Sequence, residues 1–152
     1  MPSNERDRKN ERVDDIFCQI ARGELVADIV LRTPTVVAFL DHRPVFKGHV
    51  LICPTDHIAT LPELPLDRLA DFFACVRWLS TALPESLGCQ GTFVALNNVV
   101  SQSVPHLHVH VVPRTKGDGL RGFLWPRTRY ADDEAAGYAE RIRQGLDATR
   151  GR

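Results

Sequence analysis

The sequence predicts an α+β domain with a largely antiparallel sheet of about five strands, one long central helix and short helices at the ends. Three observations lead there. β-Branched runs come in clusters instead of alternating with helices. One stretch, 66–83, repeats its apolar residues at helical spacing. Residues 106–112 alternate polar and apolar with a period of two.

The elements follow in order. Asp14 or Asp15 is placed to cap a short helix that runs to about Ala21, and Gly23 stops it. Ile29–Leu31 and Val36–Leu40 read as strands around the Thr33-Pro34-Thr35 turn. After a turn-rich connection over 41–48, His49–Cys53 reads as a third strand closed by Pro54. Leu66, Leu69, Phe72, Phe73, Val76, Leu79 and Leu83 then lie on one face of a helix that Pro84 is expected to end. Thr92–Leu96 is a fourth strand, 97–105 a loop, and His106–Val112 a fifth strand ended by Pro113. From Arg114 to Arg129 no period holds. Asp132 or Asp133 begins a last helix, to about Leu146. The expected organisation is a disordered tail over 1–13, one domain over 14–130, and a helix and tail over 131–152 that belong to the same domain.

Composition excludes several classes of function. The 152 residues carry 19 basic and 19 acidic side chains, so no positive excess exists to hold a nucleic-acid polymer or an anionic membrane. Any phosphate must be held by a few local donors. Four cysteines without paired spacing argue against a disulfide framework, and Cys53 and Cys75 read as small core residues. With no apolar leader and no run of membrane-spanning length, the reading is a soluble, cytoplasmic chain.

His106-Leu107-His108-Val109-His110-Val111-Val112 is the informative segment. On a strand its three imidazoles share one face, roughly 7 Å apart at alternate residues, while Leu107, Val109 and Val111 face the core. Two chemistries use such a row. It can present nitrogen ligands to a metal. It can also supply a neutral imidazole that attacks phosphorus, flanked by neighbours that hold its tautomer and neutralise phosphate oxygens.

This segment resembles the signature of the histidine triad (HIT) family of nucleotide hydrolases and transferases. Ile16-Phe17-Cys18, Ala38-Phe39-Leu40-Asp41, Gly48-His49-Val50-Leu51-Ile52, Pro54 with His57, and Gln102-Ser103-Val104 fall in the family's order and spacing. The resemblance spans about residues 15–113. It is nearest the Hint and bacterial branch, with Fhit-like character in Val112-Pro113-Arg114.

The resemblance implies a HIT-like fold and a role for each matched residue. His108 is the nucleophile, His110 donates to the α-phosphate, His106 completes the triad and His49 helps orient the nucleophile. Ser103 bonds the phosphate or the leaving atom, with Gln102 beside it. Asn97 or Asn98 lies on the phosphate side, Asp41 accepts from ribose hydroxyls, and Phe17 and Phe39 wall the base slot. It further implies a purine nucleotide or nucleotide conjugate as substrate and a homodimer, for which Trp78 and the Phe72-Phe73 pair read equally as interface or core. No cofactor is needed for the reaction. A structural zinc set would fall on Asp15, Cys18, His57 and His106; otherwise Cys18 is a buried apolar residue and His57 caps or packs.

Two departures stand out. The loop Val99-Val100-Ser101 is shorter than the usual glycine-containing version, and Pro105 removes a donor ahead of the triad. Gly119–Arg127, with Phe123 and Trp125, is placed either to reach the pocket or to pack on the sheet. The functional expectation is a hydrolase that forms a nucleotidyl-histidine intermediate, acting on an AMP-amine phosphoramidate or a dinucleoside polyphosphate. The alternatives are a nucleotide-sensing or partner-binding module with vestigial hydrolysis, and a metalloenzyme that uses His106 and His108 as ligands.

Overall fold

Asp15 starts the first helix, as its chemistry predicts. Its backbone is extended (φ −86°, ψ 170°), and its carboxylate accepts from the amides of Phe17 and Cys18 at the head of α1, Ile16–Ala21. The structure, a computed structural model, describes residues 14–120 and 128–150. The expected tail over 1–13 and the residues Phe123, Trp125 and Arg127 lie outside them. Two compact units divide between Asp118 and Gly119.

In the first unit, five strands form one antiparallel sheet in the order β1-β2-β3-β5-β4: β1 (Ile29–Arg32), β2 (Val36–Leu40), β3 (Val50–Pro54), β4 (Gly91–Ala95) and β5 (Val109–Arg114). The period-two pattern divides the core. Val36, Ala38, Val50, Ile52, Leu107, Val109 and Val111 pack with Phe72, Cys75, Val76, Leu79 and Leu83 of the long helix α2, Leu69–Leu87. On the opposite face Val37, Phe39, Leu51 and Cys53 pack with Phe17 and Ile20 of α1. Each of these large side chains contributes about 1.5–3 kcal/mol on burial. Phe72 is core, whereas Phe73 and Trp78 are exposed.

Several boundaries differ from the sequence reading. The fifth strand begins at Val109, not His106. The amide of His106 bonds to Val104 O at 2.8 Å and that of Leu107 to Ile58 O at 2.6 Å, so both are taken by loops before β3 is reached. The side chains alternate as expected even so. Pro113 lies inside β5 opposite Thr92, because β3 pairs only from Val50, opposite Val111, and leaves no ladder bond for residue 113 to lose. Pro84 likewise lies inside α2. The helix opens after a 3-10 turn over Leu66–Arg68 and ends at Gly88, whose left-handed conformation (φ 70°) returns its amide to Pro84 O. β3 begins at Val50 and includes Pro54. Gly48 precedes it at φ 97°, where an added Cβ would collide with Leu87, so the chain turns closely and delivers His49 to the sheet.

The second unit holds α3, Glu134–Arg150, which begins directly after Asp133, one of the two predicted caps, and runs farther than predicted. Within it the Tyr130 and Tyr138 rings lie 5.6 Å apart and the Arg141 guanidinium sits 4.3 Å above Tyr138.

Candidate functional site

A cavity of about 660 Å³ opens on the α1 face of the first unit. Ile16, Phe17 and Ile20 of α1 form one wall, and Phe39 and Leu51 of the sheet form another. Asp41, His42, Ser103, His108 and His110 supply polar groups, and Leu25 to Asp28 complete the rim. Apolar walls with a few convergent polar groups are the usual make-up of a small-molecule site. The T-shaped contact between Phe17 and Phe39, centroids 5.3 Å apart, sets the floor of the slot.

Hydrogen bonds define the imidazole tautomers at this site. His108 Nδ1 lies 2.7 Å from the carbonyl of His106, which can only accept, so His108 Nδ1 carries the proton. In the neutral ring, Nε2 is then a bare lone pair. His49 Nδ1 accepts from the Val45 amide at 3.2 Å, so His49 Nε2 carries its proton and donates to His110 Nδ1 at 2.9 Å. That leaves His110 with an Nε2–H. The His108 and His110 rings lie 5.0 Å apart, so the cavity presents one bare imidazole nitrogen beside one imidazole N–H.

Electrostatics keep these rings neutral. Burial holds His108 below its ordinary value of 6.5, against the opposing bond to His106 O. Burial, and then proximity to His108 and His49, push His110 down to about 4. Burial also lowers His49, although Asp41 Oδ2 stands 3.6 Å from its Nδ1. At neutral pH the site therefore offers a neutral nucleophile, as an attack on phosphorus requires. Asp41, His49 and His110 are close enough to hold an ion, but the Val45 amide and His110 already occupy both His49 nitrogens.

The triad's first member faces elsewhere. His106 is fully buried and donates through Nε2 to Pro54 O at 2.8 Å, so its neutral ring turns the bare Nδ1 toward Asp15, 3.1 Å from both carboxylate oxygens. Cys18 Sγ is 3.5 Å from that nitrogen and 3.7 Å from His57 Nδ1, which in turn lies 2.8 Å from Asp15 Oδ2. All four ligand atoms lie within 4.8 Å of one another. A lone pair facing a carboxylate needs a cation or a proton between them. Burial, with the Asp15 carboxylate adding to it, pushes the Cys18 thiol up. Burial pushes the Asp15 carboxyl up, but the hydrogen bonds it accepts, that of the Cys18 amide foremost, hold it low. One carboxylate, one thiol and two imidazoles in a closed, buried set fit zinc.

Other predicted residues are used differently. Asn98 Oδ1 accepts from the Leu61 amide, Asn97 Nδ2 donates to Ser101 O, and Gln102 accepts from the Val99 amide while donating to Ala59 O at 2.6 Å. None of the three lines the cavity; they brace the loop behind Ser103. That loop holds Val99 at φ 68° and Ser101 at φ 61°. Sequence reasoning missed the Val45 amide, the Pro54 carbonyl and the Leu25–Asp28 rim. Backbone groups leave no residue-type signal; the rim's signal, an apolar pair next to Ala27-Asp28, is a weak one.

Comparison with known proteins agrees with this geometry. The HIT domain family model matches residues 22–117. An uncharacterised HIT-like protein of Methanocaldococcus jannaschii is 41% identical over 106 residues, covering 68% of this chain and 81% of its own. An adenosine 5'-monophosphoramidase of Schizosaccharomyces pombe is 31% identical over 129 residues, 84% of this chain and 94% of its own. Among solved structures, a HIT family member from Bacillus subtilis aligns with a TM-score of 0.77 at 29% identity over 85% of this chain and 94% of its own. A zinc-bound histidine triad protein from Mycobacterium smegmatis aligns at 0.66 and 32% identity over 88% and 96%. The chain belongs to the HIT domain family.

Proposed function

We propose that this protein hydrolyses purine nucleotide conjugates at the α-phosphorus through a nucleotidyl-His108 intermediate. The observation that carries the reading is the hydrogen-bond chain that leaves His108 Nε2 bare and His110 Nε2 protonated at the wall of one cavity. In the first step Nε2 bonds to phosphorus and the bond to the leaving group breaks. An amine departs with a proton drawn from solvent and relayed through the Ser103 hydroxyl in the wall, which regains one from water, whereas a phosphate departs as the anion. His110 Nε2–H stabilises charge on the phosphate oxygens. Water then cleaves the phosphorus–nitrogen bond, releasing the nucleoside monophosphate, a proton and the free imidazole. Asp41, its Oδ1 fixed by the Arg43 amide at 2.9 Å, accepts from the ribose hydroxyls. Phe17, Ile16 and Phe39 hold the base. The phosphoramidase relative supports an amine leaving group.

Asp15, Cys18, His57 and His106 would hold a zinc ion, whose contribution is structural: it neutralises the facing lone pairs and cross-links α1, the His57 turn and the triad segment. A homodimer is supported by the unpaired edge strand β4, which exposes Phe93 and Val94; light scattering should return twice the chain mass.

The test incubates the pure protein with an adenosine phosphoramidate and with diadenosine tetraphosphate, with and without EDTA, beside His108→Ala. AMP release that survives chelation and disappears in the variant supports the proposal. Release unchanged in the variant overturns it, as does AMP binding without turnover, which indicates a sensor.

A further inference from the structure

We propose that Asp15 couples zinc occupancy of its cluster to nucleotide affinity, so that each ligand tightens the other. The inference rests on the nucleotide reading of the cavity and concerns a second role for a residue placed among the metal ligands. Both oxygens of Asp15 lie 3.1 Å from His106 Nδ1, and beyond that each has its own partners. Oδ1 accepts from the Phe17 and Cys18 amides at 2.8 and 2.9 Å and so holds the head of α1. Oδ2 faces His57 Nδ1 at 2.8 Å and Cys18 Sγ at 3.4 Å, inside the cluster. One rigid carboxylate therefore belongs both to the metal set and to the helix cap.

The helix it caps is short. α1 has six residues, too few to hold a helical conformation by propensity alone, so the cap and the packing of its buried residues determine its position. Ile16, Phe17 and Ile20 of this helix wall the cavity. The Phe17 ring stands edge-on to His108, centroids 5.1 Å apart. A second path runs the same way: His106, whose Nδ1 faces Asp15, supplies the carbonyl that holds His108 Nδ1 at 2.7 Å. A cation that fixes Asp15 and His106 thus fixes both the base wall and the nucleophile. By linkage, a nucleotide that orders the same wall must raise zinc affinity by the same factor.

The experiment titrates AMP calorimetrically into the full chain, first zinc-loaded with measured stoichiometry and then after chelation. It repeats the pair with Asp15→Ser, whose hydroxyl retains a helix cap but removes the oxygen facing the cluster. Backbone hydrogen exchange at Phe17 and Cys18 is followed in parallel. The wild-type chain should bind AMP about tenfold more tightly with zinc, with slower exchange at both amides, and Asp15→Ser should lose that difference. Equal AMP affinity in the loaded and chelated wild-type chain overturns the coupling, as does a chain that takes up no zinc. A zinc dependence retained in Asp15→Ser assigns it away from Asp15 and overturns the proposal. Failure to bind AMP in either state overturns the nucleotide reading itself, a result distinct from the others.

Discussion

His106 and His108 stand two residues apart on one segment and point to the same side of the sheet, yet their surroundings give them opposite work. His106 has both nitrogens directed at protein groups, Pro54 O on one side and the Asp15–Cys18–His57 set on the other, and no part of it reaches solvent. His108 has only Nδ1 occupied, and its Nε2 side lines a cavity. The residue type is the same; what differs is how many of its lone pairs and protons the fold consumes. A histidine with every position satisfied is a structural tie, and one with a single bare nitrogen is a reactive group.

Removing the bare nitrogen should have the largest effect. His108→Ala is expected to lower turnover of an adenosine phosphoramidate by at least about 10³-fold, the scale of losing a nucleophile, with the denaturation midpoint little changed. The structural histidine should show the reverse pattern. His106→Ala leaves the buried Pro54 carbonyl without its donor and a cavity where the ring packed, so urea unfolding should show a loss of about 3 kcal/mol. If His106→Ala left stability unchanged, the contrast between the two residues would fail.

His49 tests whether the tautomer relay matters. His49→Phe retains an aromatic ring but cannot donate to His110 Nδ1, so kcat should fall about 10²-fold while KM changes little. An unchanged kcat would remove the relay from the mechanism.

Acid should affect both catalysis and stability. The proposed nucleophile is lost as His108 protonates, so kcat/KM should decline only below the ordinary imidazole value of 6.5, because burial lowers the folded-state value. For stability the sign follows from proton uptake. Between 6.5 and about 4 the unfolded chain protonates His110 while the folded chain does not, so unfolding binds protons and stability falls as pH falls through that window. Denaturation midpoints measured across it check the direction.

The smallest effect concerns the loop. Val99 is a β-branched residue at φ 68°, so Val99→Gly should relieve strain and raise stability by about 1 kcal/mol in a urea titration. A loss of stability would show that the exposed Val99 side chain holds the loop by contacts that outweigh the strain.

Much of the architecture was legible in the residues. The apolar run after the Thr33-Pro34-Thr35 turn placed β2 without error, the spacing from Leu66 to Leu83 found most of α2, and the alternation over 106–112 put Leu107, Val109 and Val111 in the core. Prolines misled at Pro84 and Pro113. Pro113 stays inside β5 because no partner carbonyl awaits its missing N–H, and pairing is a property of neighbours rather than of the residue. Asp15, Cys18, His57 and His106 were nominated together from a family resemblance, and the fold brings their ligand atoms within 4.8 Å. Asn97, Asn98 and Gln102 were equally visible, but the tightly turned loop directs their amides to its own backbone and to that of Ala59 and Leu61.

The sequence by itself determined which face each histidine takes, because alternation along an extended chain is a local property of the backbone. Only the tertiary structure decided which nitrogen of each ring is free. That depends on the Val45 amide and on the carbonyls of His106 and Pro54, groups that every residue carries and that no side-chain pattern records. The reactive atom is thus selected by main-chain hydrogen bonds, one from the neighbouring histidine and the rest from segments brought near by folding.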